Sequence, residues 1–133
     1  MNKGALLDKS NTFVASALLT PRILVATLIY AVGAVHQHRA HRYLAGLEKY
    51  TLPERGWFGR LVCAHYTAEC LVYVGLAVGA APPGRPVNAT LAAALLFVAV
   101  NLGTTGADTK RWYAEKFGTE RVAGKWIMVP GVF

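Results

Sequence analysis

The sequence predicts an all-α integral membrane protein with three transmembrane helices and two cytosolic interfacial amphipathic helices. Of its 133 residues, 54% are hydrophobic and only 16% are charged. The apolar residues are concentrated in three blocks, at about residues 13–35, 61–81 and 87–107. Each block is close to the roughly 20 residues that cross the hydrocarbon layer of a bilayer. A soluble domain of this size could not easily bury so much apolar surface.

The distribution of basic residues predicts how these helices are oriented. The net charge is +7, with five Lys or Arg residues in 36–60 and five more in 107–133. The connector between the second and third blocks carries only Arg85. Because basic loops favour the cytosolic side of a membrane, both basic segments are predicted to face the cytosol. The positive charge therefore indicates topology, and nucleic-acid binding is not predicted.

The chain is divided into a polar segment, residues 1–12, and one membrane domain, residues 13–133. The first helix is expected to bend near Pro21, because proline removes a helical hydrogen bond. The stretch HQHRAHRYLAGLEKY continues the helical period and predicts the first interfacial helix. The second and third helices form a hairpin around APPGRP, and DTKRWYAEKFG predicts the second interfacial helix.

A cluster of hydrogen-bond donors lies at the predicted cytosolic end of the first helix. It consists of His36, Gln37, His38, Arg39, His41 and Arg42. A di-metal site would need many histidines from several segments, and only His65 remains elsewhere, so no metal is predicted. Histidines at a membrane boundary can also be merely tolerated there. The third interpretation is a positive, donor-rich helix end suited to phosphates.

His65 and Glu69 interrupt the second apolar block. A charged side chain at membrane depth costs about 2.5–3.5 kcal/mol, so such residues usually face a partner or a cavity. Their i, i+4 spacing places both on one helical stripe. They form either a polar pair that holds helices together or a polar site that Asn101 of the next block would join. The chain has no GxGxxG motif, which excludes a Rossmann-type nucleotide site. Together with the basic segments on the cytosolic side, the polar residues predict a cytosol-facing site for an anionic ligand.

Four stretches resemble, in order and spacing, the C-terminal half of the steroid 5α-reductase family. They are HRYLAGLEKYTLPERGWF, CAHYTAECLVY, NLGTTGADTKRWYAEKFG and GKWIMVPGVF, within residues 36–133. The resemblance is strongest to the polyprenol (polyprenal) reductase branch. It implies NADPH-dependent reduction of the α-isoprene double bond of a polyprenal or polyprenol lipid. The implied location is the endoplasmic reticulum membrane, in the dolichol synthesis that supplies protein N-glycosylation.

By motif position, the resemblance implies a cofactor site of nine residues. They are Gln37, His41, Tyr50, His65, Tyr66, Glu69, Thr109, Tyr113 and Lys125. Gln37 and His41 would contact the adenosine and phosphate portion of NADPH, whereas His65, Tyr66 and Glu69 would hold its nicotinamide end. The catalytic residues remain unassigned, because the substrate-polarising groups of the steroid reductases belong to the N-terminal half of that family.

Family members carry more membrane spans than the three predicted for this chain. The resemblance therefore implies a truncated member of the family. The alternative prediction is a non-catalytic small membrane protein that retains part of the reductase fold. Two departures from the family pattern are Glu48, at a position that is basic in the family, and Lys110, at the histidine of the family's THxWY motif.

Overall fold

The computed structural model describes residues 20–133, which form four α-helices. In chain order they are α1 (Pro21–Ala45), α2 (Ala64–Gly79), α3 (Ala89–Phe117) and the short α4 (Thr119–Ala123), and a 3-10 turn at Gly56–Gly59 precedes α2. No strand occurs in this part of the chain, where one parallel bridge joins Leu61 to Trp126. The predicted all-α class is confirmed for these residues. The polar segment 1–12 lies outside the described residues.

Helix α1 begins at Pro21, and residues 13–19, which precede the bend predicted near Pro21, lie outside the described residues. The Thr20 hydroxyl accepts a hydrogen bond from the Ile23 nitrogen. Proline, which has no backbone N–H, occupies the first turn, where an N–H would have no helical acceptor. The helix then continues for 25 residues to Ala45. The first predicted interfacial helix is therefore the C-terminal part of α1 rather than a separate element.

Helix α3 is the one helix among residues 20–133 that is long and apolar enough to cross a membrane. Its 29 residues span about 43 Å at the rise of an α-helix. The second predicted interfacial helix is its C-terminal continuation. Helix α2 has 16 residues, fewer than the roughly 20 of a typical span. Residues 13–19 of the first predicted span lie outside the described residues, so the count of three spans is not confirmed.

Helices α1 and α2 pack antiparallel with their backbones in close contact. A Cβ atom on Gly33 would lie 2.8 Å from the Val72 nitrogen, and one on Gly75 would lie 2.7 Å from the Tyr30 nitrogen. Such distances are shorter than carbon–nitrogen contacts allow, so only glycine fits at either position. Small residues of this kind let helix backbones approach closely, as they do in many membrane helix pairs.

The segments before α2 and after α4 are joined to each other by backbone hydrogen bonds. The Val62 and Cys63 nitrogens donate to the Trp126 and Ile127 oxygens at 2.8 and 2.9 Å. Because residues 61–63 take part in this pairing, α2 begins only at Ala64. The C-terminal segment is thereby held against the entrance to α2.

Candidate functional site

The antiparallel register of α1 and α2 brings predicted site residues of both helices together. Gln37 lies about one turn after Gly33 on α1, and its Nε2 donates to the Glu69 Oε2 at 3.3 Å. One turn further along, the His41 and His65 rings meet edge to face, with centroids 5.4 Å apart. The i, i+4 pairs of the two helices thus face each other across one interface.

The His65 imidazole lies among aromatic neighbours and has one unsatisfied nitrogen. Its ring centroid is 4.2 Å from that of Tyr66 and 5.9 Å from that of Phe58. The His65 Nδ1 is buried and has no hydrogen-bond partner among residues 20–133. A buried polar atom without a partner costs about 1–3 kcal/mol, so this nitrogen is suited to a polar group of a ligand.

Tyr66 connects this interface to helix α3. A Cβ atom on Gly106 would lie 3.8 Å from the Tyr66 Cδ2, so α3 passes directly beside that ring. Thr109 and Tyr113 follow Gly106 by three and seven residues and therefore lie on the same helical face. Thr109 donates its hydroxyl to the Thr105 oxygen at 2.9 Å. The two predicted α3 residues thus extend the polar interface.

Tyr50 lies apart from the other predicted residues, in an aromatic and cationic cluster. The Lys116 Nζ lies 4.0 Å from its ring centroid and the Lys49 Nζ 5.1 Å from it. The Trp112 ring centroid is 6.3 Å away. Tyr50 has φ +69°, the left-handed conformation that side chains other than glycine rarely adopt. These cation–π and aromatic contacts hold the ring at that position.

Lys125 bonds to the backbone rather than to an acidic side chain. Its Nζ donates to the Phe58 oxygen at 2.9 Å and to the Pro53 oxygen at 3.2 Å. Burial of the ammonium group lowers the pKa of Lys125, and nearby Glu54 opposes this shift. Glu54 in turn pairs with Arg121 at 2.6 Å. The predicted cofactor lysine therefore fastens the loop before α2 to the chain after α4.

A cavity of about 400 Å³ opens between α1 and the 3-10 turn, and it is lined in part by His36 and Arg39 of the predicted donor cluster. His36 and Tyr43 form part of its α1 wall, and Arg55 lies on the opposite wall. The His36 imidazole stacks on the Trp57 indole, with ring centroids 3.9 Å apart and planes inclined by 17°. The i, i+7 spacing of His36 and Tyr43 was the available signal, but Arg55 and Trp57 join them only through the fold.

The nine predicted residues fall into three places within the described structure. Gln37, His41, His65, Tyr66 and Glu69 meet between α1 and α2, with Thr109 and Tyr113 beside them. Tyr50 and Lys125 lie elsewhere, and their role in a cofactor site stays a prediction. Residues 20–133 contain no group of three or more His, Cys, Asp or Glu side chains that could hold a metal ion.

The family model and the similar proteins agree on one family for this chain. The model of the 3-oxo-5-alpha-steroid 4-dehydrogenase family matches residues 4–133. Polyprenal reductase 1 of Oryza sativa subsp. indica is 31% identical over 115 residues, which cover 77% of this chain and 31% of the relative. The polyprenal reductase of Xenopus tropicalis is 30% identical over 120 residues, or 83% of this chain and 37% of the relative.

The yeast relative extends this agreement to fungi. The polyprenal reductase of Saccharomyces cerevisiae is 30% identical over 98 residues, which cover 74% of this chain and 36% of the relative. The chain thus spans about a third of the length of the curated relatives that it matches. No solved structure matches it significantly. The chain belongs to the 3-oxo-5-alpha-steroid 4-dehydrogenase (steroid 5α-reductase) family, in its polyprenol reductase branch.

Proposed function

We propose that this chain binds NADPH between α1 and α2, in an enzyme that reduces the α-isoprene double bond of polyprenal for dolichol synthesis. One observation carries the proposal. The Gln37–Glu69 hydrogen bond and the unpartnered His65 Nδ1 lie side by side at positions that match the family motif. The polyprenal reductase names of the relatives support the class of lipid substrate.

The residues present fit the nicotinamide end of NADPH. When bound, NADPH would supply the hydride that saturates the carbon–carbon double bond. A carboxamide offers both donor N–H groups and an acceptor oxygen, and Glu69 and His65 can contact both kinds of group. Phe58, Ala64 and Ala68, at 3%, 1% and 0% exposure, exclude water from the vicinity of His65. A dry site of this kind suits hydride transfer.

The phosphate end of the cofactor is assigned to the rim near Tyr50. Lys49 and Lys116 lie over the Tyr50 ring and can donate to the 2′-phosphate that distinguishes NADPH from NADH. Charge-assisted contacts contribute roughly 1.5–3 kcal/mol, so we expect about a tenfold or greater preference for NADPH. Calorimetry on the purified chain measures this preference directly. Equal affinity for the two nucleotides would reject the assignment.

Glu69→Gln tests the cofactor site itself. The amide keeps the size of the side chain and one acceptor oxygen, so folding should be preserved while NADPH affinity falls about tenfold. The matched control is Glu115→Gln, which removes an exposed carboxylate of α3 and should change nothing. Turnover is measured with a polyprenal substrate after the chain is joined to the N-terminal part of a polyprenal reductase relative.

A loss of stability without a loss of NADPH affinity would favour the non-catalytic alternative. If the Gln37–Glu69 bond only holds two helices together, Glu69→Gln should lower the melting temperature and leave NADPH affinity unchanged. Normal turnover in such a destabilised variant would reject the cofactor site. The family match and the polyprenal reductase relatives favour the enzyme.

The proposal places the chain in the endoplasmic reticulum membrane with three spans. The hairpin turn at Arg85 would then face the lumen, and α4 would face the cytosol together with the loop before α2. We expect Arg85→Cys and Thr119→Cys, both at exposed positions, to be labelled from opposite sides of sealed vesicles. Cys63 and Cys70 provide the background labelling. Labelling of both introduced cysteines from the same side would overturn the three-span topology.

A further inference from the structure

The cavity between α1 and the 3-10 turn adjoins the proposed cofactor site at Phe58 and Ala64, but it lies on a different face of α1. Successive residues of an α-helix are about 100° apart. His36, Arg39 and Tyr43 line the cavity, and this face lies roughly 100° or more around α1 from the face that carries Gln37 and His41. A ligand in the cavity would therefore occupy a different side of the helix from the cofactor.

Two arginines make this cavity positive. Arg39 extends from α1 and Arg55 from the opposite wall, and neither guanidinium hydrogen-bonds or pairs with any residue in 20–133. Glu54, which precedes Arg55 in the sequence, is already paired with Arg121 at 2.6 Å. Glu69 is bonded to Gln37 on the other face of α1. Both positive charges thus remain available to an anion.

A second cavity, of about 490 Å³, adjoins the first, and Gly56 and Trp57 line both. Its walls include the apolar side chains of Leu61, Trp126 and Pro130, together with Arg60 and Thr67. The Trp57 indole lines both spaces, and its stack with His36 holds it in place. The cavity that holds Arg39 and Arg55 therefore lies directly beside a second cavity whose lining is mostly apolar and includes one further arginine, Arg60.

We propose that these two cavities bind an anionic membrane lipid, with its phosphate headgroup between Arg39 and Arg55 and hydrocarbon beside Trp57. The planar guanidinium fork matches phosphate oxygens in a bidentate geometry. Tryptophan side chains favour the headgroup region of a membrane. Basic pockets on the cytosolic side of membrane proteins bind lipid headgroups. This site requires no nucleotide and does not depend on the proposed reductase activity.

The test compares three ligands on the full chain in neutral detergent micelles. Phosphatidic acid presents a phosphomonoester headgroup, phosphatidylcholine masks its phosphate with a cation, and inorganic phosphate carries no hydrocarbon. We expect phosphatidic acid to bind about tenfold more tightly than either of the others, as measured by native mass spectrometry. Equal binding of inorganic phosphate, or of phosphatidylcholine, would overturn the proposal.

Variants locate the binding site. Arg39→Gln and Arg55→Gln should each weaken phosphatidic acid binding about tenfold, because each removes one charge-assisted contact. The matched control is Arg42→Gln, which removes an exposed charge of the same helix end outside both cavities and should weaken binding less than twofold. Equal losses in all three variants would indicate general surface charge and reject the site.

Two further measurements separate this site from folding and from the cofactor. Arg39→Lys and Arg55→Lys keep the charge but lose the planar fork, so folded protein with severalfold weaker binding is expected. Unchanged phosphatidic acid affinity in both lysine variants would contradict bidentate recognition. NADPH affinity should be the same in the Arg39→Gln variant as in the original chain. A parallel loss of both ligands would mean that the two sites are one.

Discussion

The register of the α1–α2 interface depends on Gly33 and Gly75, and replacing either by alanine should separate the helices. At Gly33 the new Cβ would lie 2.8 Å from the Val72 nitrogen, and at Gly75 it would lie 2.7 Å from the Tyr30 nitrogen. Both obstructing atoms belong to the backbone. Neither can rotate away as the end of a side chain could, so one helix must move relative to the other.

Two effects of opposite sign determine how much each alanine changes the free energy of unfolding. Overpacking a close interface costs typically 1–3 kcal/mol, and a backbone obstruction favours the upper half of that range. Alanine in a helix interior recovers about 0.5–1 kcal/mol relative to glycine. The difference predicts that Gly33→Ala and Gly75→Ala each lower the free energy of unfolding by about 1–2 kcal/mol. The double variant should lose less than the sum, because both changes are relieved by the same separation.

The assay is reversible unfolding in detergent micelles, followed by circular dichroism. Gly46→Ala is the matched control, because Gly46 caps α1 in a right-handed conformation and its nearest obstructing atom would be the Arg42 oxygen at 3.6 Å. That distance is an ordinary contact, so the control should change stability by about 0.5 kcal/mol or less. NADPH affinity should fall with Gly33→Ala, since Gln37 follows on the next turn of α1.

A stabilising Gly33→Ala would refute this reasoning. Exposed helical glycines gain stability on replacement by alanine, so a gain of about 0.5–1 kcal/mol would mean that α1 and α2 do not make this close contact. A fully additive double variant would likewise contradict a single shared interface.

Two further predictions concern the loop before α2. Lys125→Met should lower the free energy of unfolding by about 2 kcal/mol, because the Pro53 and Phe58 oxygens lose a charged donor; loss of NADPH affinity at unchanged melting temperature would instead support a direct cofactor contact. The Arg121 guanidinium lowers the pKa of exposed Glu54 below its usual 4.5. The ion pair therefore stabilises the fold above pH 4.5, and this stabilisation disappears as the pH falls through the lowered pKa of Glu54. In urea unfolding, Glu54→Gln should show a weaker pH dependence of stability in this acidic range. An unchanged pH dependence would mean that the Glu54–Arg121 ion pair does not contribute to stability.

Helical segments were predictable from hydropathy, and their ends were not. Apolar blocks indicated α1, α2 and α3 but not the short α4, because burying such surface requires satisfied backbone hydrogen bonds. The amphipathic segments after residues 35 and 107 continue α1 and α3, since no residue ends either helix before the caps at Gly46 and Gly118. Helix α2 begins late because residues 61–63 pair with a segment more than 60 residues away in the sequence, which no local pattern reveals.

The candidate site was predictable only in part from its residues. The i, i+4 spacing placed His65 and Glu69 on one stripe of a helix, because helical periodicity is a local property. Family resemblance supplied Gln37 and His41, whereas their positions opposite that stripe follow from the packing of two helices. The bonds of Lys125 were not foreseeable, because its acceptors are backbone oxygens, which carry no sequence signal.

The α1–α2 interface combines two kinds of contact that depend on each other. Around Gly33 and Gly75 the backbones touch, and this contact fixes the rotation and the axial position of both helices. One turn beyond Gly33, the same register places Gln37 opposite Glu69 at hydrogen-bond distance. A side-chain pair alone could form in several helix arrangements, whereas two backbone contacts about one turn apart allow only one. The glycines therefore determine the geometry of the polar site, although none of their atoms belongs to it.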